Sequence, residues 1–232
     1  NVVLGDNGLV DLGSDGDRTD IDLVESIDLD TGGSDRITAG GGDDIVVGGE
    51  DGELIAEVAG DLPAGTRQVV SAHGTDGDTI DAGAGNDIVL GDNGRVLAAL
   101  ANAPQQGMRM TVGLVQTLDT LIGGSDTIAT GAGDDVVIGG IDADAIDAGE
   151  GDNVVLGDSG LVDWAARERG GLLAGDDLDA TDIDRIWTLD ASHGGNDEIT
   201  TGAGDDVVIA GEDGELVVGI EIAGSGAPEL VV

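Results

Sequence analysis

Glycines and acidic or amide side chains recur together at fixed spacing in this chain of 232 residues. The pattern x-Gly-x-Gly, followed by two Asp or Asn residues and three aliphatic residues, occurs five times, at 39–47, 82–90, 130–138, 148–156 and 201–209. Glycine lets the backbone take positive φ and turn its carbonyl groups inward, and the second Asp or Asn adds a side-chain oxygen to the same loop. An oxygen-rich loop of flexible geometry suits Ca²⁺, whereas Mg²⁺ prefers a small, rigid octahedron that keeps its waters.

A second, shorter series precedes each loop at a constant distance. Its aspartates stand nine residues before the second Asp or Asn of the following loop, and they are Asp35, Asp78, Asp126, Asp144 and Asp197. Two steps of nine make a rung of 18 residues, and a fixed period of this kind is the signature of a solenoid. When such rungs stack, each edge of the coil collects carboxylate and carbonyl oxygens, so the sequence predicts two columns of metal ligands.

The predicted metal ligands come from both series. The second series contributes Asp35, Asp76, Asp78, Asp126, Asp142, Asp144 and Asp197. The first series contributes Gly40, Gly42, Asp43, Asp44, Gly83, Gly85, Asn86, Asp87, Gly131, Gly133, Asp134, Asp135, Gly149, Gly151, Asp152, Asn153, Gly202, Gly204, Asp205 and Asp206.

Aliphatic residues follow each loop and explain the near absence of aromatic residues, which make up 1% of the chain. The residue two places after each ligand aspartate or asparagine is predicted to point into a thin interior between two sheets, and these residues are Ile37, Val46, Ile80, Val89, Ile128, Val137, Ile146, Val155, Ile199 and Val208. Side chains alternate along a strand, so their neighbours in the first series form an outward apolar stripe of Ile45, Val47, Ile88, Leu90, Val136, Ile138, Val154, Leu156, Val207 and Ile209. A stripe of this size needs a cover.

Insertions separate most of the rungs. We place rungs near 32–54, 74–97, 123–163 and 194–218, and insertions near 9–31, 55–73, 98–122 and 164–193. Each insertion begins and ends with an apolar run, which favours hairpin-like arms that stack as a second layer over the stripe. The alternative is a cover supplied by a neighbouring chain. The N-terminus begins inside a rung, so we interpret the chain as one continuous segment of a longer array.

Composition excludes several classes of protein. The formal net charge is −41 and the chain has no cysteine, which argues against a nucleic-acid partner, a disulfide scaffold and a cysteine-ligated metal. No apolar run approaches the roughly 20 residues of a membrane-spanning helix, so membrane insertion is not expected. The repeat accounts for the paired carboxylates, and no nucleophile or phosphate-binding motif is present. We therefore expect that the chain is not an enzyme.

These five in-register loops resemble the RTX family, whose nonapeptide is G-G-x-G-x-D-x-U-x with U a large apolar residue. The resemblance implies an all-β, right-handed parallel β-roll with Ca²⁺ between successive turns on both edges, and export from a bacterium. Five loops in each column leave room for up to about eight Ca²⁺ ions. The chain departs from the pattern at the first glycine, which is replaced by Ala39, Ala82, Thr130, Ala148 and Thr201, and at Asn153, which replaces the ligand aspartate.

The function that follows is a calcium-rigidified stalk or fibre segment of a giant secreted or cell-surface protein, with a role in adhesion, matrix or filament formation. The alternative is a calcium-folding accessory or secretion module of an exported enzyme. Chains can be expected to self-associate end to end or through the outer apolar face. Acidic residues within 15–22 and 176–184 lack the twelve-residue EF-hand loop, and we interpret them as solvated loop acids rather than as additional calcium sites.

Overall fold

The computed structural model describes residues 1–50, 72–73, 77–100 and 110–211. In these residues it contains one short 3₁₀ helix, Ala166–Arg169, and 19 strands. The strands are β1 (Val2–Leu4), β2 (Gly8–Asp11), β3 (Leu23–Ser26), β4 (Arg36–Thr38), β5 (Ile45–Gly49), β6 (Ala72–His73), β7 (Thr79–Asp81), β8 (Ile88–Asp92), β9 (Gly94–Ala98), β10 (Val112–Thr117), β11 (Ile122–Gly123), β12 (Thr127–Ala129), β13 (Val136–Gly140), β14 (Ala145–Gly149), β15 (Val154–Asp158), β16 (Gly160–Asp163), β17 (Arg185–Thr188), β18 (Glu198–Thr201) and β19 (Val207–Ile209). The predicted all-β class is confirmed. Within the described segments, no helix is long and apolar enough to cross a membrane.

The rungs form two parallel sheets. One sheet has the order β1-β5-β8-β13-β15-β19 and the other has the order β18-β14-β12-β7-β4. Equivalent positions of successive rungs pair directly, as Val46 does with Val89 and Ile80 with Ile128. This register follows from the sequence period, because each rung presents the same pattern to the rung beside it. The predicted parallel β-roll is therefore confirmed.

The space between the two parallel sheets holds a thin aliphatic core. Nine of the ten residues that were predicted to point inward are buried there, and the tenth, Val208, packs against them while partly exposed. The nine are Ile37, Val46, Ile80, Val89, Ile128, Val137, Ile146, Val155 and Ile199. Each position is filled by a β-branched side chain, and such residues suit the pleated surface of a sheet.

Three of the four predicted insertions form a second layer. Hairpins β2–β3, β9–β10 and β16–β17 lie side by side in an antiparallel sheet of order β17-β16-β10-β9-β3-β2. This sheet packs on the outward apolar stripe, and a second core joins stripe residues such as Leu90 to hairpin residues such as Val96 and Val115. The arms, rather than a neighbouring chain, therefore cover the stripe from β1 to β15, whereas Val207 of β19 is 44% exposed.

The hairpins leave the roll from every second strand of the covered sheet, namely β1, β8 and β15. Neighbouring strands in any sheet lie about 4.8 Å apart, so one two-stranded hairpin is as wide as two rungs. An arm from every rung would not fit, and an arm from every third rung would leave a gap. The spacing of these three hairpins thus matches the width of the antiparallel layer to that of the roll.

Two rungs end earlier in the structure than the approximate bounds taken from the sequence. Strands β9 and β16 already belong to the second layer, although the sequence assigned their residues mainly to the rungs near 74–97 and 123–163. The reason is local, because the chain leaves the roll at Gly94 and Gly160, where a Cβ would overlap with the side chains of Leu90 and Leu156. Of the predicted insertion near 55–73, the described part is β6, which pairs with β11, and the rest lies outside the described residues.

Removal of the Leu90 side chain tests the second core. Leu90 is 1% exposed, and Leu90→Ala leaves a cavity between the roll and the hairpin layer. We expect a loss of about 2–5 kcal/mol in the free energy of unfolding, measured by urea denaturation in saturating Ca²⁺. The matched control is Leu100→Ala, because Leu100 is 83% exposed. Equal effects of the two substitutions would contradict the assignment of the second layer.

Candidate calcium sites

The loops 39–44, 82–87, 130–135, 148–153 and 201–206 stack into a first column, in which hydrogen bonds link the ligand residues of successive rungs. The backbone N–H of Asp44 donates to Oδ1 of Asp87 (2.9 Å), and that of Asp87 donates to Oδ1 of Asp135 (2.7 Å). The chain of bonds continues from Asp135 to Asn153 Oδ1 (3.1 Å) and from Asn153 to Asp206 Oδ1 (3.0 Å). One oxygen of each side chain is thus fixed by the preceding rung.

The other carboxylate oxygen in this column has no hydrogen-bond donor. Oδ2 of Asp44, Asp87 and Asp135 is buried and accepts no hydrogen bond from any residue that the structure describes. Burial of a charged oxygen is costly unless a counter-charge or a donor is present. A repeated row of such atoms therefore points to a cation as the missing partner.

The side chain of Asn153 shows what surrounds the Oδ2 position in this column. Its Nδ2 donates to the carbonyl oxygens of Gly151 (3.1 Å) and Gly149 (3.4 Å). Oδ1 of Asn153 makes the same inter-rung bond as Oδ1 of Asp87 and Asp135, so Oδ2 of each aspartate takes the place of this amide nitrogen. A carboxylate oxygen in that place faces carbonyl oxygens, and a cation between them removes the repulsion. In this structure the amide of Asn153 takes the place that a cation would have, and the role of Asn153 as a ligand stays a prediction.

Glycine is required in these loops for two reasons. Gly131 and Gly133 have φ of +91° and +141°, values that side chains disfavour. A Cβ on either residue would also overlap with the carbonyl oxygen of Gly83 or Gly85 in the neighbouring rung. Close stacking of the loop backbones depends on both features, and it holds the carbonyl oxygens of successive loops near each other.

The aspartates of the second series form a second column with the same polarity. The N–H of Asp35 donates to Oδ1 of Asp78 (2.6 Å), and that of Asp78 donates to Oδ1 of Asp126 (2.7 Å). The bonds continue from Asp126 to Asp144 (2.8 Å) and from Asp144 to Asp197 (3.0 Å). The structure therefore brings together five of the predicted ligands at the opposite edge of the roll.

Carboxylate and carbonyl oxygens converge in this second column. A Cβ on Gly139 would overlap with both Asp144 Oδ2 and the carbonyl oxygen of Gly157, and a Cβ on Gly157 would meet Asp197 Oδ2 and the carbonyl oxygen of Ala210. Oδ2 of Asp144 and of Asp197 is buried and accepts no hydrogen bond from the described residues. All the atoms that converge are oxygens, and an all-oxygen set of this kind is the donor set that Ca²⁺ prefers.

Electrostatics agree with a requirement for cations. Burial raises the pKa of Asp87 to about 6, and the charges of Asp135 and Asp44 add to the rise. Burial, with a contribution from the charge of Asp158, raises the pKa of Asp197 to about 7. The pKa of Asp144 is raised well above its ordinary value by burial and by the charge of Asp126. These carboxylates lack a positive partner, and a bound ion would reverse the direction of their shifts.

The residues that precede the ligand position in the first column behave differently. The N–H of Asn86 donates to Asp43 Oδ1 (2.9 Å), that of Asp134 to Asn86 Oδ1 (2.9 Å), and the same bond joins Asp152 to Asp134 and Asp205 to Asp152. These bonds run in the opposite direction along the roll, and most of the side chains are exposed. They hold the loops in register, and their role as metal ligands stays a prediction.

Two further predicted ligands differ in their placement. Asp142 lies in the turn between β13 and β14 with φ of +69°, at the position where the repeat has glycine. Asp76 lies outside the described residues.

Three structural aspartates were not predicted from the sequence. Asp92 accepts the N–H of Gly124 at Oδ1 (3.0 Å) and the N–H of Ile141 at Oδ2 (2.6 Å), so it joins the point where a hairpin leaves the roll to the point where the chain returns. Asp158 accepts the N–H of Gly195 (2.9 Å), and Asp6 makes the related bond to Glu50 (2.8 Å) in the next rung. The threefold recurrence of Gly-Asp-Asn/Ser-Gly was the available signal.

The fold and these oxygen columns define a calcium-binding parallel β-roll. The family model of the RTX calcium-binding nonapeptide repeat matches four segments of the chain, 30–52, 74–95, 119–155 and 193–214. The third segment spans two of the five loops. The chain therefore carries RTX calcium-binding nonapeptide repeats. No curated protein and no solved structure was found to match it.

Restoration of an aspartate at position 153 tests the metal assignment. In Asn153→Asp a carboxylate oxygen replaces the amide that now bonds to Gly149 and Gly151. We expect the variant to bind one more Ca²⁺ per chain and to be less stable than the parent without Ca²⁺. Native mass spectrometry counts the ions, and thermal unfolding with and without Ca²⁺ gives the stabilities. An unchanged ion count would oppose the proposed position of the metal.

Acid is expected to stabilise the metal-free roll. The folded-state pKa values of Asp87 and Asp197, about 6 and about 7, lie above the value of about 3.9 for an unfolded aspartate. Protonation therefore favours the folded state, and this stability is lost as the pH rises through 6 to 7. Circular dichroism of metal-free protein should show β signal that decreases from pH 5 to pH 8, and an increase over that range would contradict the burial of these groups. Protons and Ca²⁺ compete, so the apparent affinity for Ca²⁺ should fall towards pH 5.

Proposed function

We propose that this calcium-binding structural module is a stalk or fibre segment of a large exported bacterial protein, secreted or held at the cell surface, and that it has no catalytic role. Calcium ions are its partners, and their binding converts the acidic chain into a stiff rod. The observation that carries the proposal is the continuity of the two oxygen columns through the described rungs. Each rung is joined to the next at both edges, so stiffness accumulates along the axis.

The metal-free state is disfavoured by charge. Carboxylates of successive rungs lie close together in both columns, and two unit charges at about 4 Å repel by roughly 1 kcal/mol even in water. The chain as a whole has a net charge of −41. Calcium removes this repulsion where it is largest, which supports a mechanism in which binding and folding are one event.

The hairpin layer supports a mechanical role. Its strands pack over the roll along the same axis and are linked from one hairpin to the next, as by the bond from the N–H of Gly94 to Ser26 Oγ (3.2 Å) and the bond from Gly160 to Thr117 Oγ1 (3.2 Å). A rod of three sheets resists bending more than a roll of two. The buried carboxylates of the roll belong to repeated columns and not to a single cleft, which supports the absence of catalysis.

An accessory role in an exported enzyme is the second candidate. A calcium-folded module of this kind would guide secretion or folding of an attached catalytic domain. The same loops would serve that role, and continuity of the columns favours the stalk. Association of chains, end to end or laterally through exposed residues such as Val207, belongs to the stalk proposal.

Electron microscopy of the protein with and without a chelator tests the proposal. We expect extended rods or filaments in Ca²⁺ that disperse on chelation, together with loss of β circular dichroism. Asp135→Asn removes one column ligand and should raise the Ca²⁺ concentration needed for rod formation. Asp81→Asn is the matched control, because Asp81 is exposed at the end of β7.

Two results would overturn parts of this proposal. Compact single particles in Ca²⁺ would oppose the stalk and favour the accessory module. A β circular dichroism spectrum that persists in verified metal-free protein at neutral pH would contradict the coupling of calcium binding to folding.

A further inference from the structure

The loops of the first and third hairpins share a pattern of eight residues, six of which are identical. Both read Asp-x-Asp-x-Thr-Asp-Ile-Asp, at 15–22 and at 177–184. They also share local geometry, since the N–H and the hydroxyl of Thr19 both donate to Asp17 Oδ1 (3.0 and 2.8 Å), and those of Thr181 both donate to Asp179 Oδ1 (3.2 and 2.9 Å). The two loops are outside the rungs and are not part of the oxygen columns.

The first loop draws three carboxylates together. Asp15, Asp20 and Asp22 each place one carboxylate oxygen within 4.8 Å of those of the other two. Asp20 is only 6% exposed and Asp22 is 9% exposed, although both lie in a loop. Oδ1 of Asp20 is buried and accepts no hydrogen bond from the residues that the structure describes. A buried oxygen of this kind beside two other carboxylates requires a positive partner.

Packing forces Asp20 and Asp22 into this position. Ile21, which lies between them, is buried in the core under the hairpin layer. The N–H of Asp22 donates to the carbonyl oxygen of Asp11 (2.9 Å), and its Oδ2 accepts the N–H of Ser14 (2.7 Å). The two carboxylates are therefore held by the start of β3 and cannot turn out to solvent without loss of these contacts. Burial and the charges of Asp15 and Asp17 raise the pKa of Asp20.

The third loop has a cationic side chain beside its acidic residues. The residue that follows its octapeptide is Arg185, where the first loop has Leu23. Nε of Arg185 donates to Asp176 Oδ1 (2.7 Å), and its guanidinium forms an ion pair with the same carboxylate. Asp182, the counterpart of Asp20, is exposed. The third loop is thus flanked by an ion pair between Arg185 and Asp176, the residue before its octapeptide, whereas Oδ1 of Asp20 in the first loop is buried without a hydrogen-bond donor.

We propose that the first hairpin loop binds one Ca²⁺ ion through Asp15, Asp20 and Asp22, at a site separate from the columns of the roll. Ca²⁺ takes six to eight oxygen ligands, so backbone carbonyls and water complete its shell. The third loop, with Arg185 in place, does not bind a metal. This proposal replaces, for residues 15–22 alone, the interpretation of these acids as solvated.

The test compares matched substitutions in the two loops of the full chain. Asp20→Asn keeps the shape of the side chain and removes its charge, and we expect it to bind one Ca²⁺ fewer than the parent by native mass spectrometry. Asp182→Asn is the same change in the third loop and should leave the count unchanged. Trypsin cleavage after Arg18, within the loop, should be faster in Asp20→Asn than in the parent at a Ca²⁺ concentration that keeps the roll folded.

A second variant separates loss of the ion from misfolding of Asp20→Asn. Asp15 is exposed, so Asp15→Asn should leave the β circular dichroism in Ca²⁺ unchanged while it weakens or removes the same ion. An unchanged ion count in both Asp15→Asn and Asp20→Asn overturns the site. Loss of one ion from Asp182→Asn overturns the distinction between the two loops. Neither result depends on whether the roll acts as a stalk.

Discussion

A parallel roll places each residue beside the equivalent residue of the next rung, and this constraint governs the rest of the molecule. Identical positions pair from rung to rung, as Val46 pairs with Val89, at a separation of about 4.8 Å. Stacking stabilises apolar residues, because each fills the space left by its neighbour. It destabilises carboxylates, because like charges are brought together and buried. A cation between the rungs therefore stabilises the columns through Asp87 and Asp144, which is the physical basis for the proposed coupling of calcium binding to folding.

The same spacing governs the second layer. An antiparallel hairpin is two strands wide, so one hairpin from every second rung matches the stripe beneath it. The exit points are marked by Asp92 and Asp158, whose carboxylates bond to the backbone where the chain returns to the roll. The outer sheet thus has its periodicity imposed by the roll, although its own sequences are irregular. This is a physical reason why insertions of different length can form one continuous sheet.

Periodicity explains which features could be predicted from the sequence. The rungs, the inward residues such as Ile80 and Val137, the outer stripe and the covering arms all follow from a pattern that is repeated five times. Features that occur once or depend on tertiary contacts could not be predicted from the sequence. The exits at Gly94 and Gly160 depend on contact with Leu90 and Leu156, and the donation from Asn153 to loop carbonyls depends on which way its amide faces. A sequence pattern specifies neither.

Asn153 and Arg185 show how the chain satisfies a site without a metal. At Asn153 an amide N–H meets the carbonyl oxygens of its own loop, and at Arg185 a guanidinium meets the carboxylate of Asp176. Asn153 contributes the positive end of an amide dipole and Arg185 contributes a full positive charge. Each lies where oxygen atoms would otherwise meet without a donor. Asp135, which has the position of Asn153 in the preceding rung, has a buried oxygen without a donor, and so does Asp20 in the first hairpin loop. This contrast within one chain is stronger evidence for metal binding than acidic composition is. Acidic residues on a solvated surface need no donor in place of a cation, whereas oxygens that are buried together do.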